Sequence, residues 1–204
     1  FADFALYVSF FPQLVAGPIE RSSHLLRQVV APRRVTAAAL HDGAWLFAVG
    51  LVMKVAIADP LAFQVDKVYA NPSAHDLTSL YVATLAFALQ IYCDFGGYSN
   101  MARGLASAMG FELMVNFRQP YLAESFADFW RRWHVSFSTW IRDYLYIPLG
   151  GSRGPAGRTY LNLLASMVLS GLWHGATWAF AAWGALHGVL LVLERLAGEG
   201  LLQG

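Results

Sequence analysis

The longest stretch without a formal charge runs from residue 159 to residue 193, between Arg158 and Glu194. As one straight helix it would measure about 50 Å, against about 30 Å for the hydrocarbon core of a bilayer. It therefore reads as two helices with a break near residues 175–184, or as one span plus a re-entrant piece. Residues 43–57, interrupted only by Lys54, and residues 77–93, which carry no charge, read as further spans. Residues 4–19 form a fourth apolar run, broken by Pro12 and Pro18. Proline at membrane depth is tolerated where neighbours satisfy the backbone. Residues 121–149 have a different pattern. Trp130, Trp133, Phe137, Trp140 and Tyr144 recur at 3-4-3-4 spacing, which places them in one stripe on a helix. Asp128 and Arg132 have the i,i+4 spacing of a helical ion pair. Two readings fit: an amphipathic helix at the cytoplasmic membrane face, or a packed helix whose stripe is ordinary core.

Composition narrows the class. Hydrophobic residues make up 57% of the 204 positions and charged residues 13%, where soluble domains carry about 25% charged. This excludes an ordinary soluble domain, a coiled coil and a disordered chain. The net charge of +1 gives no basic field for nucleic acid. Cys93 is the single cysteine, so no internal disulfide forms. The sequence opens at Phe1 inside an apolar run without a signal-peptide n-region, and is expected to be the middle of a longer membrane protein.

Loop charge suggests orientation. Arg21, Arg27, Arg33 and Arg34 mark residues 20–34 as basic, and Arg103, Arg118, Arg131 and Arg132 lie in residues 94–132. Between them, Asp59, Asp66 and Asp76 face only Lys67. The positive-inside rule places the first and third regions in the cytoplasm and the second outside. The basic Gly/Pro-rich turn at residues 150–158 is also expected in the cytoplasm.

Of six histidines, His24, His41 and His75 lie in polar surroundings, whereas His134, His174 and His187 sit in apolar or aromatic ones. An ionisable group at membrane depth is a functional candidate by default. His174 follows Arg158 by roughly 24 Å of helix and is expected deep in the protein. A neutral imidazole there can take a proton from a hydroxyl, the task of a general base. Equally, Gly171 and Gly175 can form a small-xxx-small contact, with His174 hydrogen-bonded to a neighbouring helix. Gly184 and Gly188 repeat that pattern around His187, which packing accounts for. His134 borders the aromatic stripe, either at a pocket mouth or snorkelling to the interface. Asp94 opens the Gly-rich run 94–100, read as a helix end or as backbone lining a water-filled cavity. No P-loop, GxSxG, HExxH or CxxC motif occurs, and no cluster suggests a metal. His174 and His187 lie about 220° apart on a helical wheel and cannot share one haem face.

Several motifs together resemble the membrane-bound O-acyltransferase family, in its bacterial branch of alginate O-acetylation and teichoic acid D-alanyl transfer proteins. They are Phe-Phe-Pro-Gln-Leu-Val-Ala-Gly-Pro-Ile (10–19), Lys-Val-Ala-Ile-Ala-Asp (54–59), Gln-Ile-Tyr-Cys-Asp-Phe-Gly-Gly-Tyr-Ser (90–99) and Asn-Phe-Arg-Gln-Pro-Tyr (116–121). More specific as a set are Asp-Phe-Trp-Arg-Arg-Trp-His-Val-Ser (128–136), Trp-Ile-Arg-Asp-Tyr-Leu-Tyr-Ile-Pro-Leu-Gly-Gly (140–151) and Gly-Leu-Trp-His-Gly-Ala-Thr-Trp (171–178). The resemblance implies that His174 is the family's deep catalytic histidine and His134 its second characteristic one. Gly96, Asn100 and Arg103 depart from the usual Ser, Asp and apolar residue. The implied fold is all-α: a polytopic membrane protein with re-entrant or interfacial helices around a tunnel. Residues 1–204 would be the central part of a single domain, with flanking helices missing.

The resemblance further implies an O-acyltransferase of the bacterial inner membrane. An acyl group, expected to be acetyl, would pass from a cytoplasmic thioester to a hydroxyl of an extracytoplasmic polysaccharide, directly or through an extracytoplasmic acyltransferase partner. The donor would be acetyl-CoA or an acyl carrier thioester, with no bound cofactor. Besides His174 and His134 as catalytic residues, Trp133, Arg132, Asn116 and Asp94 are the expected substrate contacts. Asn116 and the Trp133 Nε1 are candidate oxyanion donors. Arg131 and Arg132 suit either an anionic donor or lipid headgroups. The alternative class is a transporter or channel-like scaffold whose histidines relay protons.

Overall fold

The computed structural model describes residues 1–201, with side chains described through residue 198. The described residues are mostly helical and contain no strand. Among the described residues, three helices are long and apolar enough to cross a membrane: Ala37–Ala70, Leu77–Ala108 and Trp178–Gly198. Backbone contacts divide the chain into two compact units, Phe1–Asn116 and the part from Phe117 onward.

The first unit opens with short helices α1 (Ala2–Val8), α2 (Phe11–Leu14) and α3 (Ser22–Val30). The expected span over residues 4–19 is therefore replaced by two short helices. Ser9 and Phe10 leave the helical path between them, and Pro12 restarts it in the first turn of α2. Helix α4 (Ala37–Val52) is capped by the Thr36 hydroxyl, which accepts from Ala39 N at 3.1 Å. It continues through wide helical turns at Met53–Ala58 into α5 (Asp59–Ala70). A six-residue connection then leads to α6 (Leu77–Ala108), capped by Asp76, whose carboxylate accepts from Ser79 N at 2.8 Å.

Helices α4 and α6 pack antiparallel through two glycine pairs. A Cβ on Gly43 would lie 2.7 Å from the carbonyl oxygen of Gly104, and one on Gly97 equally close to that of Gly50. Gly43 and Gly50 are seven residues apart, as are Gly97 and Gly104, so each pair falls on one helix face two turns from the other. Small residues allow the backbones to touch. This explains why α6 runs unbroken through the Gly-rich run at 94–100, which the sequence had suggested as a break. The outward residues, among them Trp45, Leu51, Phe63, Leu85 and Ile91, are large, apolar and exposed, as a lipid-facing surface requires.

Segment 109–116 returns along the unit and is held by paired polar groups. Gln28 donates to the Glu112 carbonyl at 2.9 Å and accepts from Glu112 N at 2.8 Å. The buried Glu20 carboxylate accepts from Met114 N and lies 2.6 Å from His24 Nδ1. Leu25, Ala106 and Leu113 form the buried core beneath, with Tyr7, Phe10 and Phe111 packed against it.

The second unit contains α7 (Phe126–Arg132), α8 (Val135–Ile141), α9 (Ala156–His174) and α10 (Trp178–Leu201). The single helix expected over residues 121–149 is two helices with a reversal at Trp133 and His134. Glycines at positive φ, Gly150, Gly151 and Gly154, form the turn before α9. The long apolar stretch divides at residues 175–177, and α9 and α10 pack antiparallel around Gly171, Gly184 and Gly188. A Cβ on Gly184 would lie 3.0 Å from Val168 Cα, and one on Gly188 3.1 Å from Leu164 Cα.

Candidate active site

His134 owes its position to a broken helix. Ser125 caps α7 by accepting from Asp128 N at 3.1 Å, and the helix ends at Arg132. His134 then takes a left-handed backbone conformation at φ 42°, sparsely used by residues with a side chain and less unfavourable for His than for most. Its carbonyl accepts from Ser138 N at 2.9 Å, which starts α8. The turn is held by Ser138 Oγ, which donates to the Trp133 carbonyl at 3.0 Å. Arg118 N donates to the Arg132 carbonyl at 2.9 Å. The reversal sends the Trp133 ring against Phe117 at 5.0 Å and Phe129 at 5.5 Å. His134 instead stacks on Phe137, with centroids 5.0 Å apart, and is only 5% exposed. Burial pushes its imidazole down to about 3, and nearby His174 acts in the same direction. The ring is therefore neutral at physiological pH.

His174 is the last residue of α9 and is exposed in this chain, rather than deep as its distance from Arg158 suggested. Gly175 follows because a Cβ there would lie 2.5 Å from the Phe180 ring as the chain turns into α10. Rings surround the imidazole: Trp173 at 5.1 Å, Phe137 and Trp183 both at 5.6 Å, and Phe180 at 6.2 Å. Phe137 thus touches both His134 and His174, which lie forty positions apart in sequence. The chain of rings continues from Trp183 to His187 at 4.8 Å and from His187 to Trp130 at 5.1 Å. Glu194 of α10 secures α7 in this arrangement by accepting from Ala127 N at 3.1 Å.

The profile described as MBOAT, membrane-bound O-acyltransferase family, matches residues 1–200. The chain belongs to the membrane-bound O-acyltransferase family. It is 48% identical over 198 residues to the probable alginate O-acetylase AlgI of Pseudomonas aeruginosa, covering 96% of this chain and 37% of that protein. Against the peptidoglycan O-acetyltransferase of Helicobacter pylori the identity is 40% over 197 residues, covering 96% and 37%. Against the teichoic acid D-alanyltransferase of Streptococcus thermophilus it is 27% over 209 residues, covering 94% and 49%. The chain therefore spans less than half the length of these relatives.

Within this family chain, the sequence-derived candidates fall into both units. His134, His174, Trp133 and Arg132 share the second. Arg132 Nε lies 2.7 Å from Asp128, the helical ion pair its spacing predicted, while Arg131 lies 3.5 Å from the same carboxylate. Asn116 and Asp94 belong to the first unit. Asn116 is 1% exposed and donates to Ser99 Oγ of α6 at 3.1 Å. Asp94 lies 2.6 Å from Lys54 Nζ, which is equally close to Asp59. Among the described residues no His, Cys, Asp and Glu group is placed to hold a metal. The sequence reading assigned His187 to helix packing and Trp130 to an aromatic stripe. Their i,i+4 and cross-helix relation to Trp183 becomes visible only once α7 is docked on α10.

Proposed function

We infer that residues 1–204 are the central part of a single O-acyltransferase domain in a multi-pass protein of the bacterial inner membrane. Its reaction moves an acyl group, acetyl in the first instance, from a cytoplasmic thioester to a hydroxyl of an extracytoplasmic polysaccharide. The transfer is direct or relayed by an extracytoplasmic acyltransferase partner. Family membership and the names of the relatives support the reaction class and the acceptor class. The observation that carries the residue assignment is the convergence of His134 and His174 on Phe137.

In this mechanism His174 is the general base. Its neutral imidazole takes the proton of the acceptor hydroxyl, and the hydroxyl oxygen forms a bond to the thioester carbonyl carbon. The tetrahedral intermediate collapses by breaking the C–S bond, and the imidazolium returns its proton to the departing thiolate. The position of His174 at the C-terminal end of a 19-residue helix suits this cycle, since the negative end of the helix dipole favours a transient positive charge. His134, neutral through burial, contributes hydrogen bonding and orientation rather than charge. Trp133 and Arg132 flank it as substrate contacts, and Arg131, being exposed, suits the phosphates of acetyl-CoA or of a carrier-bound phosphopantetheine arm. Asn116 and Asp94, both in the first unit, are proposed substrate contacts on the strength of their sequence motifs.

The test is acylation of the cell-surface polymer by the full-length protein in membranes, with its partners present. His174→Ala is expected to abolish acylation at wild-type protein level. Retained acylation would overturn the base assignment, and a flux phenotype without loss of acyl transfer would favour the transporter class.

A further inference from the structure

Two polar ring atoms beside the candidate site are buried and have no hydrogen-bond partner: Trp130 Nε1 and His187 Nδ1. Their rings meet edge to face, with centroids 5.1 Å apart and planes at 85°. Both contact Trp183, at 5.9 Å from Trp130 and 4.8 Å from His187, and Trp183 is in turn 5.6 Å from His174. A buried polar atom left without a partner is costly. Two in mutual ring contact, one aromatic residue away from the proposed base, are difficult to explain as packing alone.

We propose that Trp130 and His187 form a subsite for a neutral carbonyl oxygen of a substrate, separated from His174 by the Trp183 ring. The chemistry of the two atoms selects that ligand. An indole N–H only donates, so the occupant must present an acceptor. The imidazole Nδ1 donates as well when it carries the proton, and a carbonyl oxygen has two lone pairs for two donors. The surrounding rings disfavour a charged occupant. The Glu194 carboxylate, which holds Ala127 N one turn before Trp130, further disfavours an anion. The subsite rests on the acyl-transfer reading, and its carbonyl belongs either to the thioester donor or to the acceptor.

The experiment uses the full-length protein in membranes with its partners, titrated separately with acetyl-CoA and with the polymer it acylates. Trp130→Phe and His187→Phe keep a ring and remove the polar atom. Each is expected to melt at or above the wild-type temperature and to raise the KM for one substrate about tenfold or more, with a smaller change in kcat. A rise for acetyl-CoA assigns the carbonyl to the donor, and a rise for the polymer assigns it to the acceptor. The double variant should be little worse than either single one, because both atoms serve one oxygen. His187→Asn, which restores a donor near the Nδ1 position, should recover most of the loss. Unchanged KM values at equal or higher melting temperature would overturn the subsite while leaving acyl transfer intact. A fall in melting temperature with both Phe variants would also overturn it, since the atoms would then have structural partners. A wild-type protein showing neither acyl transfer nor stabilisation by acetyl-CoA would overturn the acyl-transfer reading and the subsite with it.

Discussion

The α4–α6 pair and the α9–α10 pair are built on one plan: antiparallel apolar helices, a short connection, and glycines where the backbones touch. They differ in what flanks the contact. Along α4 and α6 the glycine contacts lie beside Phe47, Met53 and Tyr92, and the single cation Lys54 pairs with both Asp59 and Asp94. At α9 and α10 the contact itself lies against Leu164, Met167 and Val168, while beyond it cluster His174, His187, Trp183 and Trp130, with two ring nitrogens left without hydrogen-bond partners. The first pair spends most of its polar groups on internal pairing, whereas the second leaves ring nitrogens unpaired beside the proposed base. Substitutions at the glycine contacts of the first should therefore act on stability, and substitutions at the rings of the second on turnover.

The largest expected effect lies in the second pair. His174→Ala should lower acyl transfer about 10²–10⁴-fold, the usual contribution of a general base. Its melting temperature should stay near wild type, because the side chain is exposed. A large drop in melting temperature would make His174 a packing residue and erase the contrast. Next is Gly97→Val, whose Cβ would press against the Gly50 carbonyl and lie 3.1 Å from Met53 Cβ. It should destabilise by about 1–3 kcal/mol, with turnover per folded molecule unchanged. Turnover that falls faster than the folded fraction would show that the first pair also takes part in the reaction.

A pH effect of intermediate size belongs to His134. Folded, its imidazole stays neutral down to about 3, while unfolded it titrates near 6.5. Between these values the unfolded state binds the extra proton. Stability thus falls as pH drops below about 6.5, by up to about 1.4 kcal/mol per unit, and this contribution does not vary above about 7. Melting curves at pH 7.5 and 5 should show the loss, and His134→Asn should reduce it. An unchanged slope in His134→Asn would place the acid sensitivity elsewhere. The smallest effect is expected at Gly157 in the first turn of α9, where a Cβ meets nothing within 4 Å. Gly157→Ala should stabilise by about 0.4–1 kcal/mol through the unfolded chain, and a destabilised variant in a thermal melt would contradict the open space seen there.

Much of the architecture was legible wherever hydrophobicity alone decides it. The charge-free runs at 77–93 and 159–193 mark α6 and the α9–α10 pair, and a division of the longer run, expected near residues 175–184, follows from length. Helix α6 extends beyond its run to Ala108, and the helix begun in residues 43–57 continues to Ala70, with Lys54 paired in space to Asp59 and Asp94. Gly96 and Gly97 resembled a break because glycine weakens a helix in isolation, whereas here Gly97 admits the α4 backbone. The reversal at His134 was not legible because its aromatic spacing fits one continuous helix. Neither Trp133 nor His134 is a helix breaker, and the turn depends on ring packing and hydrogen bonds between distant positions. The motifs around His134 and His174 were readable as chemistry. Their shared contact through Phe137 was not, since it needs α8 laid against the end of α9.

The left-handed backbone at His134 also decides how that residue should be removed. Alanine would delete the imidazole and keep a Cβ in a conformation that disfavours it, so a damaged variant would mix lost chemistry with backbone strain. Glycine accepts φ 42° without that penalty, and asparagine accepts it while keeping a polar tip. For this position the clean genetic deletion is His134→Gly, with His134→Asn as its partial restoration, and an alanine scan would overstate the importance of the ring.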